Sequence, residues 1–227
     1  MALDIARIRA LCFDVDGTLR DTDDQFVLKI CRWLKPVGFV FPNRDPRPLA
    51  RKFVMASETP ANILFGLPDR LGVDSQLARI SDFLYRLGLG KHPEPFLLVP
   101  NVVEMLQQLR PHFPMSIVSA RSARTTGIFL KQYDLEGYFN QVATAFTCRH
   151  TKPYPDPIQW AAAQMGFPPQ ACLMIGDTTV DIRAGKAAGA QTVGVLCGFG
   201  TENELRAAGA DLILETTSEL VQVFSKL

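Results

Sequence analysis

Leu11-Cys12-Phe13-Asp14-Val15-Asp16-Gly17-Thr18-Leu19 is the stretch on which the fold turns. Its first three residues form a short apolar run that stops at a carboxylate. A run this brief, followed at once by polar residues and Gly17, reads as a buried strand entering a turn. Beyond Pro100 the same pattern recurs. Strands are expected over 115–118, 142–146, 172–175, 192–196 and 212–214, with helices over 102–109, 123–132, 157–165, 180–188 and 202–208. Strands alternating with helices of this length are βαβ units. The expected fold class is therefore α/β, a parallel sheet covered on both faces.

Between the first strand and Pro100 the alternation breaks. Helical patterns occupy 21–32, with Thr22 as N-cap, then 49–58 and 74–87, and the prolines at 36, 42, 46 and 48 forbid a long element between the first two. We read 1–20 and 96–227 as an α/β core, and 21–95 as a helical cap inserted after the first strand.

Composition narrows the function classes. With 227 residues, a core plus a large insert fits the chain better than two full domains. The 24 basic and 23 acidic residues leave a net charge of +1, so the basic excess usual in nucleic-acid or anionic-membrane binders is missing. No apolar run approaches the roughly 18 residues of a membrane span. The five cysteines (Cys12, Cys31, Cys148, Cys172, Cys197) are scattered and odd in number, which suggests small core hydrophobes in a reducing, cytoplasmic compartment. No signal-type segment opens the chain.

In an open parallel sheet, ligands bind beyond the carboxyl ends of the strands. Asp14, Asp16, Gly17 and Thr18 follow the first strand, Ser119 the second, Lys152 the third, and Asp177 and Asp181 the fourth. Carboxylates, a hydroxyl, an ammonium and a glycine turn at one rim suit a dianionic substrate held by Mg²⁺ and a lysine. Asp14 is suited to be a nucleophile on phosphorus. Asp16 stands close enough to serve as general acid and then base. Asp177 offers a second hard oxygen to Mg²⁺. Lys152 and Ser119 neutralise and orient phosphoryl oxygens, and amides around Gly17 and Thr18 add donors.

Asp14-Val15-Asp16-Gly17-Thr18-Leu19, Ser119, Lys152-Pro153 and Gly176-Asp177-Thr178-Thr179-Val180-Asp181 resemble, in order, the four motifs of the haloacid dehalogenase-like hydrolases. The stretch from Asp181 to Ala190 is similar to that of the phosphoglycolate phosphatase and β-phosphoglucomutase branch. The resemblance implies a Rossmann-like core, a helical cap at the position of the insert, and a Mg²⁺-dependent phosphatase acting on a small phosphorylated metabolite through an aspartyl-phosphate. It assigns Asp14 as nucleophile, Asp16 as acid/base, and Ser119 and Lys152 as phosphate binders. The metal ligands would be Asp14, Asp177 and the Asp16 carbonyl, with Asp181 an auxiliary carboxylate. Where relatives often place asparagine, Ser119 is followed by Ala120-Arg121; the Ala120 amide remains a donor.

Plainer readings stand beside these. Asp177 can cap a helix while binding metal, and Asp181 can simply favour the helix dipole. His92, His112 and His150 lack ligand spacing. Arg44, Arg47 and Arg51 read as a solvated face more readily than as a grip on substrate. Two functions compete with the phosphatase: a phosphomutase sharing every core residue, and a phosphorylatable binding module without turnover. Oligomeric state is not legible.

Overall fold

The computed structural model describes residues 3–21 and 96–225. Thr22, the expected cap helices and the cap arginines, together with Cys31 and His92, lie outside the described residues. Asp21, expected to open a helix, is instead paired in a strand.

Six parallel strands form the main sheet: β1 (Ala10–Phe13), β4 (Met115–Val118), β5 (Gln141–Ala143), β6 (Cys172–Gly176), β7 (Gln191–Val195) and β8 (Leu212–Leu214), in the order β5-β4-β1-β6-β7-β8. A two-stranded antiparallel ribbon, β2 (Arg20–Asp21) with β3 (Leu97–Leu98), lies where the chain leaves the core and where it returns. The helices are α1 (Val102–Leu109), α2 (Ala123–Gln132), α3 (Asp156–Met165), α4 (Thr179–Ala188), α5 (Glu202–Ala208) and α6 (Leu220–Phe224).

Period-two alternation sorts the strand side chains between two cores. Leu11 and Phe13 of β1, Met115 and Ile117 of β4, and Leu173 and Ile175 of β6 face one layer with Val102, Met105 and Leu106 of α1, Phe129 of α2 and Phe224 of α6. Ala10 and Cys12, with Cys172 and Met174, face the other, against Ile158, Ala161 and Ala162 of α3 and Ala184 of α4. Being buried on both faces is why the central strands read as unbroken apolar runs. Each large aliphatic or aromatic side chain removed from water contributes about 1.5–3 kcal/mol. The second layer is alanine-rich, which lets α4 lie close to the sheet: a Cβ on Gly185 would stand 2.5 Å from the Thr192 methyl.

Most boundaries match the sequence reading, and one differs for a clear reason. The strand expected over 142–146 ends at Ala143. The Thr144 amide donates to Thr147 Oγ1 at 2.8 Å and the Ala145 amide to the Arg121 carbonyl at 2.9 Å. A side-chain hydroxyl thus takes a ladder hydrogen bond and turns the chain. Among the described residues no helix is long and apolar enough to cross a membrane.

Candidate active site

β1 ends between β4 and β6, so the turn 14–18 emerges at the middle of the sheet, flanked by the loops after both neighbours. The Asp14 amide bonds the Ile175 carbonyl at 2.9 Å, extending the β1–β6 pairing to the first acidic residue. The turn then closes on itself: Leu19 and Arg20 donate to the Val15 carbonyl, and Gly17 donates to the Arg20 carbonyl. Gly17 has φ +73°, and a Cβ there would stand 2.1 Å from Asp177 Oδ2. Both features demand glycine.

Lys152 Nζ donates to Asp14 Oδ1 and to Asp181 Oδ1, each at 2.6 Å, and its side chain is only 5% exposed. Asp181 Oδ2 accepts from the Thr178 amide at 3.0 Å and the Thr178 hydroxyl at 2.7 Å. Asp181 therefore ties the start of α4 with one oxygen and the buried ammonium with the other. Asp177 is fully buried; its Oδ2 accepts from the Phe199 amide at 2.9 Å and its Oδ1 from the Thr18 hydroxyl at 3.4 Å. Cβ atoms on Gly198 or Gly200 would fall about 2 Å from Asp177 atoms, so the loop after β7 wraps this carboxylate. Two more contacts fasten the turn: Thr217 Oγ1 donates to the Thr18 carbonyl at 2.6 Å, and Cys197 Sγ to the Gly17 carbonyl at 3.3 Å.

Ligand oxygens of Asp14, Asp177 and Asp181 lie within 4.8 Å of one another, all three residues buried. With one ammonium against three carboxylates, the cluster carries a formal charge of −2 away from water. Burial pushes the Asp14 carboxyl up to about 7, since Lys152 offsets only part of that cost while Asp181 and Asp16 add repulsion. Burial also raises Asp177 well above the carboxylate range, helped by the charges of Asp181 and Asp14. For Lys152, burial alone would depress the ammonium, and the two carboxylates more than reverse it. Buried charge of one sign calls for a counter-ion. A hard divalent cation suits an all-oxygen donor set of this kind, and the three aspartates fit such a group.

Asp16 belongs to a different neighbourhood. Its Oδ1 accepts from Arg20 Nη1 at 2.8 Å and its Oδ2 from Arg121 Nε. Arg20 in turn stacks over the Phe96 ring, 4.4 Å from its centroid. The Ser119 amide bonds the Ala143 carbonyl at 2.9 Å, and Ser119 Oγ accepts the Arg121 amide at 3.1 Å, so the Ser119-Ala120-Arg121 turn joins the serine to the partner of Asp16. Sequence reasoning missed Arg20, the carboxylate-binding side of Arg121, and the Gly198-Phe199-Gly200 loop. The last had a signal: a Gly-x-Gly directly after a buried strand, where close backbone approach is needed. His150 pairs with Asp156 at 3.0 Å on the surface.

Comparison with known proteins agrees with this architecture. A protein from Anoxybacillus flavithermus, pyrophosphatase PpaX, is 30% identical over 217 residues, covering 95% of this chain and 96% of the relative. Its namesake from Bacillus velezensis is 29% identical over 219 residues, with 96% of each chain covered. Among solved structures, a HAD family hydrolase from Deinococcus radiodurans R1 with bound phosphate and sodium superposes with a TM-score of 0.66 at 20% identity, covering 97% of this chain and 96% of that one. Residues 11–195 match the haloacid dehalogenase-like hydrolase model, a span running from β1 and the aspartate that follows it to the end of β7. Sequence span, sheet order and strand-end carboxylates thus agree, and the chain belongs to the haloacid dehalogenase-like hydrolase family, whose members of this kind act on phosphoric esters.

Proposed function

We propose that the chain is a Mg²⁺-dependent phosphatase that hydrolyses a small phosphomonoester, such as phosphoglycolate or a sugar phosphate, through an aspartyl-phosphate on Asp14. The observation that carries this reading is the buried ammonium of Lys152 held between Asp14 and Asp181 beside Asp177. Lys152 lowers the cost of bringing a phosphoryl dianion up to an anionic nucleophile. Asp14, Asp177 and the Asp16 carbonyl would hold Mg²⁺, which supplies charge neutralisation of the phosphoryl oxygens.

An Asp14 oxygen attacks phosphorus, the bond to the leaving oxygen breaks, and that oxygen takes a proton from Asp16. Asp16 then accepts a proton from the water that attacks the aspartyl-phosphate, releasing phosphate and restoring Asp14. Ser119, Lys152 and the amides of Gly17, Thr18 and Ala120 orient the phosphoryl group. In this structure the Gly17 amide is given to the Arg20 carbonyl, so its part rests on that turn opening. The core is residues 1–20 and 96–227, with 21–95 as the cap that excludes water. A mutase would differ only in cap groups.

A second reading has a specific support: relatives matched over nearly the whole chain carry the name pyrophosphatase. Hydrolysis of inorganic pyrophosphate needs the same nucleophile and cation. Phosphate release from a metabolite panel with Mg²⁺ tests both readings. Asp14→Asn should lower turnover by at least about 10⁴-fold, since it removes the covalent step. Equal activity in the variant would reject the nucleophile.

A further inference from the structure

Beside the buried acidic cluster lies a second charged group, in which arginines meet a carboxylate. Arg20 and Arg121 approach the carboxylate of Asp16 from its two oxygens. Burial lowers the basicity of Arg20; Asp16 works the other way, and the neighbouring guanidinium of Arg121 adds to the lowering. Arg20 is the buried member, its side chain 11% exposed and its guanidinium packed on Phe96. Arg121 is the open member, with 38% of its side chain in contact with solvent.

The geometry of Arg121 is set at both ends. Its amide is fixed by Ser119 Oγ and its carbonyl by the Ala145 amide, while Nε is spent on Asp16. An arginine held by Nε has its plane fixed and keeps both terminal amino groups as a parallel donor pair. That pair matches a carboxylate or phosphate bidentately, and the ordering entropy has already been lost. Its position is chemically specific as well: Asp16 is the group assigned to protonate the leaving oxygen, so whatever Arg121 touches lies on the leaving side.

We infer that Arg121 is a specificity residue whose guanidinium, oriented by Asp16, binds a second anionic group on the leaving side of the substrate. The enzyme then favours diphosphates and phosphorylated carboxylic acids over esters of neutral alcohols. This inference rests on the phosphatase reading above for the direction of the leaving group.

The test compares kcat/KM for inorganic pyrophosphate, 2-phosphoglycolate and glucose 6-phosphate in the wild type, Arg121→Gln and Arg121→Lys. Loss of Arg121 frees Asp16 and slows all three. The ratio of either anionic substrate to glucose 6-phosphate should fall a further 10- to 100-fold or so, mainly through KM, as expected for a charged hydrogen-bond pair. Arg121→Lys should recover part of that ratio. A fall confined to pyrophosphate or to phosphoglycolate identifies which anion is the substrate's own. Ratios unchanged within about two-fold overturn the inference, because Arg121 would then act only through Asp16. Calorimetry with Mg²⁺ keeps the two readings separate: the wild type should prefer methylenediphosphonate to inorganic phosphate, and Arg121→Gln should lose about ten-fold of that preference. Should Asp14→Asn prove fully active, the phosphatase reading fails, while the calorimetric ratio still decides the role of Arg121; an unchanged ratio overturns it.

Discussion

Two charged clusters meet at the strand ends, one around Asp14 and one around Asp16, separated by a single residue of chain. Asp14, with Lys152, Asp177 and Asp181, is enclosed by the sheet and the glycine loop, and its surplus charge is negative. Asp16, with Arg20 and Arg121, is partly open to water and is paired through both of its oxygens. The comparison separates what a charge can do in each setting. In the enclosed cluster each charge is costly until neutralised, so the protein is poised to take up a cation. At the rim, water reaches the Arg121 side of Asp16 and screens that ion pair, whose contribution to stability is small. Its role is orientation.

The sharpest way to break this contrast is to remove the enclosed cation. Lys152→Met leaves three carboxylates without their ammonium, and we expect a loss of about 3–5 kcal/mol in the metal-free protein at pH 8. Chemical denaturation with a chelator present measures it. The loss should shrink towards pH 5 as Asp14 and Asp177, both raised by burial, take up protons. A penalty that does not vary with pH would show that packing, not charge, holds Lys152.

Next in size is the pH dependence of the metal-free protein. The Asp14 carboxyl, raised to about 7 when folded, holds its proton more tightly than in the unfolded chain. Its contribution is complete below about pH 4 and is lost as pH rises through about 7, on the order of 2–4 kcal/mol in all. The stability of wild type minus that of Asp14→Asn, followed by thermal melting with a chelator, should therefore fall across that window. Excess Mg²⁺ should flatten the fall, because it takes the place of the proton.

The smallest effect comes from the glycine loop. Gly198→Ala pushes a methyl against Asp177 Oδ2 and should cost about 1–3 kcal/mol by overpacking. Calorimetric Mg²⁺ affinity should drop along with stability. If affinity stayed unchanged, Asp177 would not be the cation's ligand.

What the sequence made legible follows the same divide. The strand ends could be read because Asp14, Ser119 and Asp177 each follow a short apolar run; singly each has a plain structural use, and only the set at one rim pointed to chemistry. Lys152 was legible only in combination, since it stands nine residues beyond the end of β5. The rim was not legible. Arg121 and Asp16 lie 105 positions apart, and no periodicity links a loop arginine to a turn carboxylate. The β2–β3 ribbon has two residues per strand, too short to show alternation. The five-residue α6 escaped for the same reason. Asp181 was left between a helix role and an auxiliary role, and its two oxygens are divided between Thr178 and Lys152.

The hydroxyl of Thr217 reaches back across 199 positions to the Thr18 carbonyl. During synthesis on the ribosome, the turn bearing Asp14 and Asp16 is therefore made well before the residue that fastens it. A nascent chain halted before residue 197 already carries all four strand-end aspartates, yet it lacks Cys197, the Phe199 amide and Thr217. The fastening of Asp177 and of the 14–18 turn thus waits on residues added long after the turn itself.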